Sequence, residues 1–348
     1  MGLKKFDKEE IKQQEEAELE KTKEEENKLD ELINENSKEE EELKNLPLDA
    51  KQKLVTDKIN EARKDYFDYT KKQKRVNTII SASVVVAMIT CVILIFVLGK
   101  TYNWISYLCL GLMVVALIGT FTATHFIKKK LSAKAEEYIS ILYQKVNEYL
   151  YSGDAFSNLH VKSNGQMKDE LFTEARFYKN IKGTKSRNLV SVEYRGKVLG
   201  SADLAGNILV KNRLSPMFLG KYYDYTSSYD KEGKRILMQI KGGNLSRPID
   251  DVDDLTLVEG NDRYAIYSND EEWRKFLPHK VIKDITELKI DKTLIDVIIS
   301  IRPGKVNIGI DYVDEFMNIP VDHEFDFNIV KRTEHDLKKV LTILDDLN

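Results

Sequence analysis

Side chains able to do chemistry are sparse in this chain and scattered along it. The histidines are His125, His160, His279, His323 and His335, and no two share a local motif. His323-Glu324 is followed by Phe325, Asp326 and Phe327, so the second metal ligand that HExxH places one helical turn later is missing. Cys91 and Cys109 are too few for a disulfide framework and are spaced for no zinc site. Gly99-Lys100-Thr101 has the ending of a phosphate-binding loop, but Leu94 stands where that loop needs its first glycine. Gly196, Gly200 and Gly206 are too widely spaced for a dinucleotide fingerprint, and no G-x-S-x-G elbow occurs. Asp250-Asp251-Val252-Asp253-Asp254 has the charge to attract calcium or magnesium. It lacks the central glycine and twelfth-position ligand of an EF-hand, and a charged loop entering the next strand fits it better. Asp230-Lys231-Glu232-Gly233 is expected as a hairpin turn with glycine at its left-handed position. Phe218, Tyr222, Tyr223, Tyr225 and Tyr229, near Lys221, have faces on which a ligand can stack, but alternating aromatics in a strand more often pack across strands. No catalytic, cofactor-binding or metal-binding residue is assigned from the sequence.

The elements that must carry these residues show up in the charge distribution. The chain has 348 residues, room for one large or two ordinary domains. Its 54 Lys+Arg against 57 Asp+Glu leave no excess of cations for displacing counterions, so a nucleic-acid partner is not expected. The charges are segregated. Residues 1–47 hold 9 Lys and 17 acids, residues 48–77 hold 9 basic and 5 acidic groups, and residues 78–127 carry only Lys100.

Thr78–Leu98 is a run of 21 uncharged residues. As a helix it spans about 31 Å, matching the roughly 30 Å hydrocarbon core of a bilayer. Trp104–Ile127 is a second such run, with His125 as its only ionisable group, close to its end and beside Lys128 as an interfacial residue would be. The first run begins behind a long charged segment, unlike a secretory signal peptide. Residues 99–103 leave room only for a tight turn, so the two runs are expected to form a transmembrane hairpin. Lys71, Lys72, Lys74 and Arg75 precede it and Lys128, Lys129, Lys130 and Lys134 follow it, against one Lys in the turn. This asymmetry predicts both termini in the cytoplasm and the turn outside, with Tyr102, Trp104 and Tyr107 in an outer aromatic belt.

Residues 1–47 read as an acidic arm, disordered or a frayed helix, too poor in apolar residues for a stable coiled coil. Its chemistry suits a basic partner, and an anionic bilayer surface repels it. Residues 48–77 and 128–150 each show an apolar stripe at helical spacing: Leu48, Val55, Ile59, Ala62, Tyr66 and Tyr69 in one, Leu131, Ala135, Tyr138, Ile139, Leu142, Val146 and Tyr149 in the other. As continuations of a hairpin they are expected to pack as an antiparallel juxtamembrane stalk. Facing residue numbers then sum to about 205, with Tyr66 opposite Ile139, Ile59 opposite Val146 and Val55 opposite Leu150.

Residues 151–348 are expected to form a cytosolic α+β domain with a largely antiparallel sheet. Strands are expected at Leu189–Tyr194, turning through Arg195-Gly196 to Val198-Leu199, and at 207–210, 218–225, 235–240, 255–259 and 263–267. Helices are expected at 271–276, 279–288 and 334–347, with a hairpin of 294–301 and 305–311 joined through Arg302-Pro303-Gly304. These features bring a resemblance with them. Leu171-Phe172, the strand-turn-strand at Tyr194–Gly200, Phe218-Leu219-Gly220, Tyr264–Asp270 and the Lys305–Asp311 hairpin, following two apolar helices, resemble the bacterial two-pass membrane family called domain of unknown function 3137. The resemblance covers most of residues 78–345 and implies a bacterial cell-membrane protein with a cytosolic α+β domain. It brings no activity, and the acidic arm is longer than it implies.

The function expected from all this is a membrane-anchored intracellular interaction or scaffold module whose partners are the lipid bilayer and another protein. The alternatives are a membrane-bound enzyme with a site built from dispersed carboxylates and basic residues, or an accessory subunit of a transporter or envelope complex. A pocket gathering several acids and a histidine would favour the enzyme, and an apolar groove the binding module.

Overall fold

The computed structural model describes residues 46–98, 101–210, 213–242, 246, 249–286, 294–312 and 324–347. The acidic arm up to residue 45, Gly99 and Lys100 of the turn, residues 287 and 288 of the expected helix, and His323 lie outside the described residues.

Two helices dominate the N-terminal half: α1, Leu48–Leu98, and α2, Asn103–Leu150. Each runs unbroken from stalk into apolar run, since no Gly or Pro interrupts either junction. Both are long and apolar enough to cross a membrane, by length and composition, and their apolar stretches are almost wholly unburied within the chain.

Their other halves pack together. The Tyr66 and Tyr138 rings stack at 5.7 Å with 13° between planes. Gln52 Nε2 donates to Tyr149 Oη at 3.1 Å, and Thr124 Oγ1 to Asn77 Oδ1 at 3.4 Å. These facing pairs sum to between 201 and 204, one to four below the expected 205, so the helices pack antiparallel as expected but Tyr66 meets Tyr138 and not Ile139. Val55 and Ile59 are buried in one cluster with Tyr138, Leu142, Val146 and Tyr149, flanked by Ala62, Tyr66 and Ile139. Burial of each large aliphatic side chain contributes about 1.5–3 kcal/mol.

A nine-stranded sheet follows, every neighbouring pair antiparallel, in the order β1-β2-β3-β4-β9-β8-β5-β7-β6. The strands are β1 Phe156–Lys162, β2 Ile181–Tyr194, β3 Lys197–Val210, β4 Arg213–Thr226, β5 Ile236–Lys241, β6 Thr256–Gly260, β7 Tyr264–Ser268, β8 Leu294–Arg302 and β9 Lys305–Tyr312. Short helices α3 (Asp169–Glu174), α4 (Trp273–Phe276) and α5 (His279–Thr286) and the closing helix α6 (Asn328–Asp346) complete the chain. Arg195 and Gly196, both at positive φ, make the two-residue turn from β2 to β3. The hairpin expected at Asp230–Gly233 does not form. Gly233 does take a positive φ, but β4 and β5 are not neighbours, because the β8–β9 hairpin lies between them. That segment is a crossover.

Strand alternation sorts the core into two layers. Val297, Ile299, Ile301, Val306, Ile308 and Ile310 share a cluster with α5, α6 and the stalk residues. Ile298, Leu237, Phe218 and Tyr222 share the other with Phe172 and Phe177, around α3. The first cluster runs across residue 150 without a break, so the base of the helical hairpin is part of the domain's core. Hydrogen bonds fix it there. Asn60 Oδ1 accepts from Phe325 N at 2.9 Å, and Tyr149 Oη donates to Glu334 Oε2 at 3.1 Å while its ring meets Phe327 edge-on at 4.8 Å. Beneath α2, buried Asn147 Nδ2 donates to Asn188 Oδ1 at 2.6 Å, and Asn188 Nδ2 to Asp203 Oδ2 at 3.3 Å. Asp203 in turn pairs with buried Lys221 at 3.0 Å.

Candidate ligand crevice

Three groups of polar side chains have the density to do something chemical, and two of them are spent on structure. The aspartate run at 250–254 is clasped by cations. Arg176 binds Asp251 through Nε and Nη2 at 3.2 and 2.9 Å, and Asp254 through Nη1 and Nη2 at 2.9 and 3.0 Å. Arg235 Nη2 reaches Asp254 at 3.1 Å, Lys179 N donates to Asp250 at 2.7 Å, and Lys179 Nζ pairs with Asp253. Burial alone would raise Asp254. The hydrogen bond from Arg176 and the charges of Arg235 and Arg176 outweigh it and hold the carboxyl below its usual value. Among the described residues no group of three or more His, Cys, Asp or Glu is placed to hold a metal ion. These aspartates thus stand in a loop whose carboxylates are engaged by Arg176, Lys179 and Arg235.

The second group is the Asp203–Lys221 pair under α2. The aromatic stretch around it packs instead of presenting faces: Phe218, Tyr222, Tyr223, Tyr225 and Tyr229 are all buried, Phe218 and Tyr222 in one core layer and the other three in the other.

The third group is different, because it borders open space. Helix α6 buries Val330, Leu337, Val340 and Leu344 against the β8–β9 face, and Arg332, His335, Asp336 and Lys339 follow on its flank at i, i+3, i+4 and i+7. Between that flank and the sheet lies a small crevice of about 80 Å³. Its floor and walls are Leu294, Val297, Ile308, Ile310, Val340 and Ile343, and its mouth is Tyr312, Arg332, His335, Asp336 and Lys339. Tyr312 Oη donates to an Asp336 carboxylate oxygen, and the Arg332 guanidinium lies 4.3 Å above the Tyr312 ring. Burial pushes the Asp336 carboxyl up, only partly countered by the Tyr312 hydrogen bond and the charges of Arg332, His335 and Lys339. Burial, then the charge of Asp336, also raises the Tyr312 phenol. The mouth therefore gathers Arg332, His335 and Lys339 around Asp336 and Tyr312.

Of the histidines, His335 joins this mouth, while His160 stands exposed on β1 and His279 lies against Arg274. The cationic spacing of Arg332, His335 and Lys339 stands in the sequence beside the apolar stripe of this helix. The crevice unites one acid and one histidine, and no Ser, Thr or Cys is among its lining residues.

Comparison with known proteins returns no match, whether to family descriptions, to curated proteins or to solved structures.

Proposed function

We propose that this protein is a membrane-anchored intracellular binding module. Residues 78–98 and 104–127 form a transmembrane hairpin with both termini cytoplasmic, and the α+β domain is held at a fixed standoff from the inner membrane face. The observation that carries this reading is the single core running from the stalk seam into the sheet face. A flexible tether needs no such core; a mount does. One feature supports the membrane placement: large apolar side chains such as Phe96, Tyr107 and Phe121 project from the hairpin uncovered by the described residues.

The partners in this reading are the bilayer, a ligand or protein at the domain, and a basic partner for the acidic arm. The enzyme alternative is less well supported, because the crevice lining gathers one carboxyl and one histidine and not the several acids that reading calls for. The resemblance to domain of unknown function 3137 belongs to the same proposal and adds no activity to it.

Accessibility labelling tests it. With Cys91 and Cys109 replaced by alanine, cysteines are placed singly by Thr101→Cys and Ser228→Cys. A membrane-impermeant maleimide on intact cells should label position 101 alone, and position 228 only after lysis. Labelling of position 228 in intact cells overturns the orientation.

A further inference from the structure

We infer that the far end of the β3–β4 hairpin is a second membrane contact: Leu209 and Leu214 enter the headgroup layer of the inner leaflet, and Lys182, Lys185 and Arg213 attract the phosphates of anionic phospholipids. This rests on the membrane-anchored reading and adds to it a contact made by the sheet itself.

The strands climb toward the membrane. Phe156, the first residue of β1, meets Tyr151 at the foot of α2 edge-on, with ring centroids 5.2 Å apart. Seven residues on, Ser163 Oγ lies 3.1 Å from Ser140 Oγ, eleven residues back along α2 in the direction of the apolar run. Those steps are about 23 Å of strand and about 17 Å of helix. Asn188 N donates to Ser163 O at 2.8 Å, which fixes β2 at that height, and the adjacent Arg187 pairs with Asp203 of β3. From Asp203 to Val210, the last residue of β3, is a further seven residues, and the same slope lifts the chain by another ~17 Å. Ser140 stands about 20 Å of helix below Ile127. The hairpin end therefore comes within about 3 Å of the hydrocarbon edge, inside a headgroup layer about 5–7 Å deep.

What the hairpin carries there suits that layer. Ser201 and Asp203 face α2, the first through Tyr151 Oη and the second through Asn188. Alternation along β3 puts Leu209 on the same face, and Leu214 lies directly opposite it on β4. The two leucines are 53% and 59% exposed, an apolar pair that water penalises and a bilayer interface rewards. Residues 181–190 and 204–219 hold five Lys and Arg and no Asp or Glu. Among the described residues no ion pair engages Lys182, Lys185 or Arg213. On the opposite face α3 brings Asp169, which is taken up by Thr184 N and Oγ1, and Glu170, two residues from Lys168. An anionic lipid surface matches this end of the sheet, and an acidic lipid phosphate meets no carboxylate on its strands.

Fluorescence quenching with the full-length protein in nanodiscs tests this. With Cys91 and Cys109 replaced by alanine, Leu209→Cys carries a nitrobenzoxadiazole label. Val198→Cys, 52% exposed near the other end of β3, carries the same label as control. The discs hold phosphatidylcholine with added phosphatidylglycerol, and some of the lipid bears a nitroxide on its headgroup. Quenching at position 209 should be at least about twofold that at position 198. It should fall by about half or more in phosphatidylcholine alone, or when Lys182→Gln, Lys185→Gln and Arg213→Gln are combined, and not with Lys338→Gln on α6. Leu214→Asp, on the neighbouring strand, should lower it as well. Equal quenching at 209 and 198 overturns the proposal and leaves the maleimide result untouched. A blue-shifted label at 209 without nitroxide quenching would mean that protein covers the leucines, and overturns it too. Quenching indifferent to phosphatidylglycerol and to the three substitutions overturns the part given to anionic lipid.

Discussion

The same two helices behave in opposite ways over their two halves. In the apolar half Phe96 is 74% exposed and Phe121 77%, whereas in the stalk half Val55 is 1% exposed and Ile59 and Val146 are 0%. Helix geometry does not change between the halves, and the pairing register is carried through both. On the proposed membrane placement, what changes is the solvent each half is built for. Side chains that face lipid gain nothing from covering one another, because lipid tails are as apolar as they are. Below the membrane water is the competitor, and the apolar stripes close on each other and then on the sheet. The difference teaches that anchor and domain boundary are not the same thing: residues 48–66 belong to α1 by sequence and to the α+β core by packing.

The largest break in that contrast should come from Ile59→Ala. Emptying a fully buried aliphatic site costs about 2–5 kcal/mol. The loss should appear as earlier unfolding of the sheet domain, followed by Trp273 fluorescence in nanodiscs. A domain that melts normally would mean that stalk and sheet are separate cores. Asn147→Ala comes next. It withdraws the donor from buried Asn188 and loosens the chain leading to Asp203 and Lys221, at a cost of about 1–3 kcal/mol. For a domain of this size each kcal/mol lowers the midpoint by about 2–4 °C.

Arg176→Ala should act more weakly, by about 1 kcal/mol or less, since the guanidinium is partly exposed. Its signature is pH. A carboxyl whose folded value is lowered adds stability that is present above its ordinary value of 3.8 and is lost as pH falls through the folded value. The midpoint gap between the variant and the unaltered protein should therefore be full at neutral pH and narrow below pH 3.8, in thermal melts across an acid series. Smallest of all, Val86→Ala in the apolar half should leave the domain within about 0.5 kcal/mol.

How much of this was legible in the sequence follows from the same physics. The stalk register could be read because helical spacing and two fixed membrane ends leave one antiparallel pairing. The β8–β9 hairpin could be read because β8 is mostly aliphatic, Val306, Ile308 and Ile310 alternate along β9, and the pair closes on a glycine. The first half of β3, Gly200–Gly206, lies outside the expected strands because Leu204 is its one large apolar residue among small ones. At Gly206 the reason is visible only in three dimensions: a Cβ there would sit 2.7 Å from the Phe172 ring. The crossover at Asp230–Gly233 looked like a hairpin because turn chemistry is local and strand order is not. The crevice has both kinds of signal. The 332, 335, 336 and 339 spacing lies open in the sequence, but Tyr312, which takes up the carboxyl among them, arrives from another element.

The central claim, that the hairpin continues below the membrane as a packed seam belonging to the domain, is tested most directly by cross-linking. With Cys91 and Cys109 replaced, Ile59→Cys with Val146→Cys should oxidise to an intramolecular disulfide in the full-length protein. The control, Lys58→Cys with Lys145→Cys, lies one helical face away and should oxidise poorly. Equal reaction of both pairs, or of neither, would mean that the helices diverge on leaving the membrane and that the domain has no mount.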